Sequence, residues 1–271
     1  MAPEAGERYD HLIDQAHEAL DEEELERAID LSREAIEIQP DDFEGYFVAG
    51  VAFHELGEYR RALDYLRESA VRSPEDPLVR TYEARVRFFL GEEEEAEKML
   101  RSAVKQDAEL SDAYYWLSMI VERRGRYAEA DQLLAACARL DPERFPLPCR
   151  MTRAELERDL KQVVKELPPP IAGAVSELTM VIEDLPSREL LAGDEHLAPD
   201  ILGLFVGASL REASVWNTPS EPNIIYLFKR NLERVAASRD ELIEEARVTL
   251  IHEIGHYLGL DEEDLAERGL D

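Results

Sequence analysis

Residues 43–76 read FEGYFVAGVAFHELGEYRRALDYLRESAVRSPED, which is the clearest example of a pattern that fills the first half of the chain. Its pattern recurs every 34 residues, which divides the region into four units: 9–42, 43–76, 77–110 and 111–144. The units share small or turn-forming residues at matching positions: Ala28, Ala62, Ala96 and Ala130; Gly57, Gly91 and Gly125; Pro40, Pro74 and Pro142. A fixed period of this size indicates a repeat architecture.

Each unit resembles a tetratricopeptide repeat, and the second unit matches the family at six positions: Tyr46, Gly50, Tyr59, Ala62, Leu66 and Pro74. The resemblance implies that each unit is a helix, a turn and a second helix, and that residues 1–144 form an α-solenoid. The third unit departs from the pattern. Arg80, Glu83 and Arg87 stand where the family places apolar or small residues. Its first helix is therefore expected to be loosely packed or to supply partners for these side chains.

The resemblance also implies a concave face made by the first helix of each unit. Seven apolar residues occupy positions that line this face in the family: Ile13, Leu20, Phe47, Val51, Phe88, Tyr115 and Met119. They either pack between helices or form a groove that binds an extended peptide or another domain. The hypothesis is that this groove recruits a protein or peptide substrate. It lacks the pattern of lysines and arginines with which such grooves clamp an acidic C-terminal tail, so a tail of that sort is not expected.

The second half of the chain reads as a small α+β domain over residues 151–271, after a proline-rich linker at 145–150. Thr152 and Glu155 form a capping box that begins its first helix. Apolar runs predict about three strands. The predicted helices cover 152–167, 229–237 and 241–258, the strands 178–182, 201–207 and 223–228, and the loops 189–200 and 211–223.

The strongest chemical signal is His252-Glu253-Ile254-Gly255-His256, an HExxH motif in the last predicted helix. Residues four apart share one helix face, so His252 and His256 can bind a single zinc ion through their imidazoles. Glu253 lies beside them and can act as the general base, and then the general acid, of peptide hydrolysis. The motif therefore predicts one catalytic zinc per chain.

A third zinc ligand is expected after the motif, because catalytic zinc sites use three protein ligands and a water. Gly259 is predicted to end the helix in the left-handed conformation and so return the chain toward the metal. Glu262 stands at the third-ligand position of the HExxHxxGxxH pattern and is the predicted ligand. Asp261, or a carboxylate elsewhere in the fold, remains an alternative. The candidates for the side chain that stabilises the oxyanion are Tyr226, Tyr257, Lys229 and His196. Each of them also suits a packing or surface role.

Several segments resemble, in order, the small zincin-like metallopeptidases of bacteria: 151–168, 182–186, 202–210, 222–233 and 248–265. The resemblance implies a compact zincin fold, a single zinc site and peptidase activity, but no particular substrate. The resulting hypothesis is an intracellular zinc metallopeptidase whose repeats recruit a substrate or partner. The alternatives are a repeat scaffold whose zincin domain binds metal without proteolysis, and a purely structural metal closed by Asp261 and Glu262.

Composition limits the other functions of the chain. A formal charge of −30 over 271 residues disfavours nucleic acid and anionic membranes as partners. No run approaches the length of a membrane span, and the N-terminal residues lack the pattern of a secretory signal. The only two cysteines, Cys137 and Cys149, are expected to stay reduced, which fits a cytoplasmic protein.

Overall fold

A computed structural model describes residues 3–167, 169–175, 177–192, 197–209, 222–261 and 264. The chain divides into two compact units, Met1–Phe145 and Pro146–Asp271. The first is entirely helical where described, and the second combines helices with one sheet, as the fold class predicted from the sequence requires.

The described part of the first unit forms eight helices in four pairs, and a three-residue turn joins the two helices of each pair. The repeating alanines have no exposed surface, which shows that they occupy helix contacts where only a small side chain fits. The helices are α1 (Pro3–Asp21), α2 (Leu25–Ile38), α3 (Glu44–Glu55), α4 (Tyr59–Arg72), α5 (Pro77–Phe89), α6 (Glu93–Gln106), α7 (Ser111–Arg123) and α8 (Tyr127–Leu140).

The turn inside each pair needs a left-handed residue. Gly57, Gly91 and Gly125 take φ angles of 75°, 78° and 73° at this place. In the first repeat (residues 9–42) the same position, 34 residues before Gly57, is Glu23, which takes φ 59°. The turn geometry is therefore set by the repeat and is imposed on a residue that disfavours it.

The unusual charged residues of the third repeat (residues 77–110) have partners, and its first helix, α5, is well packed. The Arg80 side chain donates to the backbone carbonyl of Pro74 at 2.7 Å, and Arg87 forms an ion pair with Glu83 at 2.7 Å. Four apolar side chains of α5 are at most 2% exposed: Val79, Ala84, Val86 and Phe88. Of the two expectations for this helix, the structure bears out the one with partners.

Most of the apolar stripe expected on the concave face lies inside the helical packing. Four of its residues are buried, and the other three are half-buried: Ile13, Phe47, Phe88 and Met119; Leu20, Val51 and Tyr115. The ring of Phe145, at the end of the unit, packs against Tyr115 with centroids 4.8 Å apart. The stripe therefore contributes more to the core than to an open apolar groove.

The second unit contains a three-stranded sheet, in the order β1-β3-β2 among the described residues. β1 pairs with β3 in parallel, and β2 pairs with β3 in antiparallel orientation. Its elements are α9 (Arg153–Glu166), α10 (Pro169–Val175), β1 (Thr179–Glu183), α11 (Arg188–Leu191), β2 (Gly203–Val206), β3 (Ile224–Phe228), α12 (Lys229–Val235) and α13 (Arg239–Leu258).

Two short helices were not predicted. α10 begins at Pro169, inside the three-proline run 168–170, and proline is favourable at the first position of a helix. α11 lies in a stretch predicted as loop, and Ser187 caps it by accepting from the Leu190 N–H at 3.2 Å. Both are too short to show a helical period in sequence. Most of the predicted loop at 211–223 lies outside the described residues.

Residues 149–151, which follow Pro146 and Pro148, form hydrogen bonds with other residues of the second unit. The Cys149 N–H donates to the Ala236 carbonyl at 2.9 Å. Glu233, with no exposed side-chain surface, accepts at 2.8 Å from the Met151 N–H and at 2.8 Å from Arg150. Lys229 donates to the same carboxylate at 2.9 Å. Residues 149–151 therefore belong structurally to the unit that begins at Pro146.

Candidate active site

The HExxH motif lies in the last two turns of α13. Ser238 caps the start of this helix by accepting from the Glu241 N–H at 3.3 Å. Gly259 ends it with φ 85°, and its N–H and that of Leu260 close onto carbonyls of the last turn. The helix start and the left-handed stop agree with the sequence expectation.

His252 and His256 point their Nε2 atoms at one another, 3.0 Å apart, with ring planes 84° apart. Two nitrogens that bind one tetrahedral zinc at about 2.0–2.1 Å lie roughly 3.3 Å from each other. The pair therefore fits a shared metal ion. The Nδ1 atom of His256 lies 3.3 Å from the Leu260 carbonyl, the kind of contact that orients a metal-binding imidazole.

Glu253 is buried, with 6% of its surface exposed, and its carboxylate meets strand β2. Its Oε2 atom accepts from the Phe205 backbone N–H at 2.7 Å. The side chain is therefore held by the sheet as well as by its own helix. This contact was not anticipated, since a backbone N–H leaves no signal in the sequence. The only available hint was Gly203, because a lone glycine in an apolar strand marks a close backbone approach.

The predicted third ligand, Glu262, lies outside the described residues. Its alternative, Asp261, is exposed, and its Oδ1 atom accepts from the Asp264 N–H at 2.9 Å. Within the part of the chain that the structure describes, no His, Cys, Asp or Glu joins the two histidines to make a group of three. The structure thus brings His252 and His256 together. The identity of the third zinc ligand stays a prediction.

Two of the four candidate oxyanion donors, Tyr257 and Lys229, have partners elsewhere in the second unit. Tyr257 is buried, and its hydroxyl donates to Glu177 at 2.8 Å; burial, followed by the neighbouring Glu177, raises the pKa of this phenol. Lys229 forms ion pairs with Glu233 at 2.9 Å and Asp184 at 3.7 Å. The Tyr226 ring stacks with Phe228 at 6.2 Å. His196 lies outside the described residues. These contacts favour packing roles for Tyr257 and Lys229.

Solved structures to which about half of this chain is similar include MamA (18% identity, 51% of this chain, 75% of that one, TM-score 0.43), the Pseudomonas aeruginosa pilF protein (21%, 51%, 63%, 0.47), and TTC0263 from Thermus thermophilus, a tetratricopeptide repeat protein (20%, 50%, 75%, 0.46). No helix among the described residues is long and apolar enough to cross a membrane.

Family models assign both halves of the chain. Three tetratricopeptide repeat models match residues 13–77, 53–120 and 111–144. The model of the zincin-like metallopeptidases matches residues 175–270, which include the HExxH motif. The chain therefore carries tetratricopeptide repeats over residues 13–144 and a zincin-like metallopeptidase domain over residues 175–270.

Proposed function

We propose that this protein is a zinc-dependent metallopeptidase that hydrolyses peptide bonds at the HExxH motif. The observation that carries the proposal is the 3.0 Å approach of the His252 and His256 Nε2 atoms, with Glu253 beside them on the same helix. Glu262 is the third ligand in this proposal. Asp261 is less suited, because its carboxylate caps the next turn of the chain.

The roles of the side chains follow from their chemistry. A zinc ion held here would act as a Lewis acid on the scissile carbonyl and would lower the pKa of a bound water. Glu253 removes the proton from the attacking water and delivers it to the leaving amine. Its burial keeps the carboxylate away from bulk solvent, and the Phe205 N–H fixes one of its two oxygens. The other oxygen is the one that carries the proton in this scheme.

In this proposal the repeats recruit the substrate or a protein partner. Tetratricopeptide repeats are protein-interaction modules, so the partner is a protein or peptide. On the first-helix face, Arg85 lies 4.7 Å from the Trp116 ring and pairs with Glu55 at 3.2 Å, next to the half-buried Tyr82. Of these, Glu55 is exposed and Tyr82 and Arg85 are half-buried, so these three side chains, more than the buried apolar stripe, would contact an extended peptide in the concave groove.

An unbiased mixture of peptides tests the proposal, with new N-termini as the readout. The zinc-loaded chain is expected to cleave, a chelator to stop cleavage, and added zinc to restore it. His252→Ala should lose both zinc and cleavage, because one histidine and one carboxylate remain. His11→Ala, an exposed histidine of α1, is the matched control and should retain both. A chain that holds one zinc and cleaves nothing would instead support the non-proteolytic scaffold.

A further inference from the structure

The hydrogen-bonding direction of strand β2 places one backbone N–H at an unusual location. The Phe228 N–H donates to the Leu202 carbonyl at 2.8 Å, and the strands pair so that Leu204 faces Tyr226 and Val206 faces Ile224. In an antiparallel ladder, bonded pairs alternate with non-bonded ones. Leu204 and Val206 therefore bond toward β3. The N–H groups of Gly203 and Phe205 point to the opposite side, the edge of the described sheet.

At this edge the Phe205 N–H donates to Oε2 of the Glu253 carboxylate, with the two heavy atoms 2.7 Å apart. A hydrogen bond to an ionised carboxylate is stronger than one between neutral groups and is more directional than packing. Because the donor is part of the strand backbone, its position is set by the β2–β3 ladder and not by a side-chain rotamer. The sheet thus controls where one oxygen of Glu253 lies.

Gly203 opens the space that this contact needs. A Cβ atom at position 203 would lie 2.6 Å from Thr249 Cγ2 and 3.1 Å from both Cγ and Oε1 of Glu253. The first distance forbids a side chain unless Thr249 moves, and the other two require Glu253 to yield by a few tenths of an ångström. The strand can approach α13 closely only because residue 203 has no side chain.

We propose that strand β2 is the positioning element of the general base: the Phe205 N–H orients the Glu253 carboxylate, and Gly203 provides the space for it. The inference rests on the proposed function for its catalytic meaning. Neither residue contacts the reacting atoms in this scheme; both act through Glu253. Proton transfer requires the base within hydrogen-bond reach of the water, so a shift of a few tenths of an ångström lowers the rate.

The first test is amide hydrogen exchange at single-residue resolution on the full chain. The Phe205 amide should be protected although it lies on the edge of the described sheet. In Glu253→Ala it should exchange at least about tenfold faster, while the Leu204 and Val206 amides, which bond to β3, stay unchanged. An unchanged Phe205 rate in Glu253→Ala overturns the proposal. Because this measurement needs no substrate, it separates failure of the positioning contact from failure of the peptidase function.

The second test uses space at position 203. Gly203→Ala should lower kcat by about tenfold, since misplacing a reacting group by about 1 Å costs about a hundredfold. KM and zinc affinity should remain, because the three atoms nearest to the added Cβ belong to Thr249 and Glu253 and to neither histidine. Gly173→Ala, where an added Cβ meets nothing within 4 Å, is the matched glycine control and should leave kcat unchanged.

The double variant Gly203→Ala/Thr249→Ser distinguishes positioning from packing. Serine removes the methyl group that the new Cβ meets at 2.6 Å, so stability should recover toward that of the parent chain. The contacts with Glu253 at 3.1 Å persist, so kcat should stay low. Recovery of kcat together with stability would show that Gly203 serves packing alone, and would contradict the proposal.

Discussion

The carboxylates around the motif are distinguished by what each already binds. Glu253 is buried and accepts from a strand N–H, whereas Asp261 is exposed and accepts from the N–H three residues ahead. A carboxylate that caps a turn gives up that contact when it binds a metal. Zinc binding through Asp261 would therefore cost the chain the contact with the Asp264 N–H.

The third-ligand assignment leads to an expected order of zinc affinities. Glu262→Ala should weaken zinc binding by at least about tenfold, because it removes a direct ligand. Asp261→Ala should weaken it much less. Competition with a chromophoric chelator measures both affinities, and zinc content at saturation shows whether one ion still binds. The opposite order of effects would transfer the role to Asp261.

At the scale of elements, long periodic segments were predictable and short or backbone-driven features were not. The eight repeat helices and α13 carry a helical period and recognisable turn signals, whereas α10 and α11 span seven and four residues. The histidine pair was predicted from a spacing of four. The contact between Phe205 and Glu253 was not, because it depends on which edge of β2 faces the helix. The ion pair between Arg85 of α5 and Glu55 of α3 was likewise not predictable, because it joins two helices, whereas Arg87 and Glu83 are four residues apart on one helix and could have been matched.

The turn of the first repeat allows a test of backbone strain. Glu23→Gly should raise the free energy of unfolding by about 1 kcal/mol, because glycine adopts φ 59° without the steric cost that a Cβ imposes. Glu22→Gly, one residue earlier and also exposed, should have the opposite sign, since it adds freedom to the unfolded chain and removes the 3.9 Å ion pair with Arg27. Urea unfolding of the two variants measures the difference. Equal destabilisation by both would show that the turn at Glu23 is not strained.

At the scale of the molecule, the chain consists of two units with different periodicities, and each has its own buried core. The fold class and both family assignments followed from the 34-residue period and the HExxH motif. The domain boundary at residues 145–150 is a proposal that truncation can examine. Residues 149–151 contact α12 and Ala236 just after it, so a truncation that removes them should lower the stability of the second unit.

Fragments of the second unit should differ sharply in stability. Residues 146–271 and 148–271 are both expected to fold with zinc, because they retain Cys149, Arg150 and Met151. Arg150 and Met151 bond to Glu233 of α12, and Cys149 bonds to Ala236 just after it. Residues 152–271 should lose about 3 kcal/mol, since the buried Glu233 keeps only Lys229 of its three donors. Thermal unfolding followed by circular dichroism measures the series. An unfolded 146–271 fragment would mean that the first unit is part of this core.

A comparison of the parent chain with Glu253→Gln at matched zinc content shows whether Glu253 is the base of a zinc peptidase. About one zinc per chain is expected in both proteins, because both histidines remain. The variant should lose cleavage of a peptide that the parent cleaves, since glutamine cannot accept the water proton. Cleavage by Glu253→Gln at the parent rate, with one zinc bound, would contradict the mechanism.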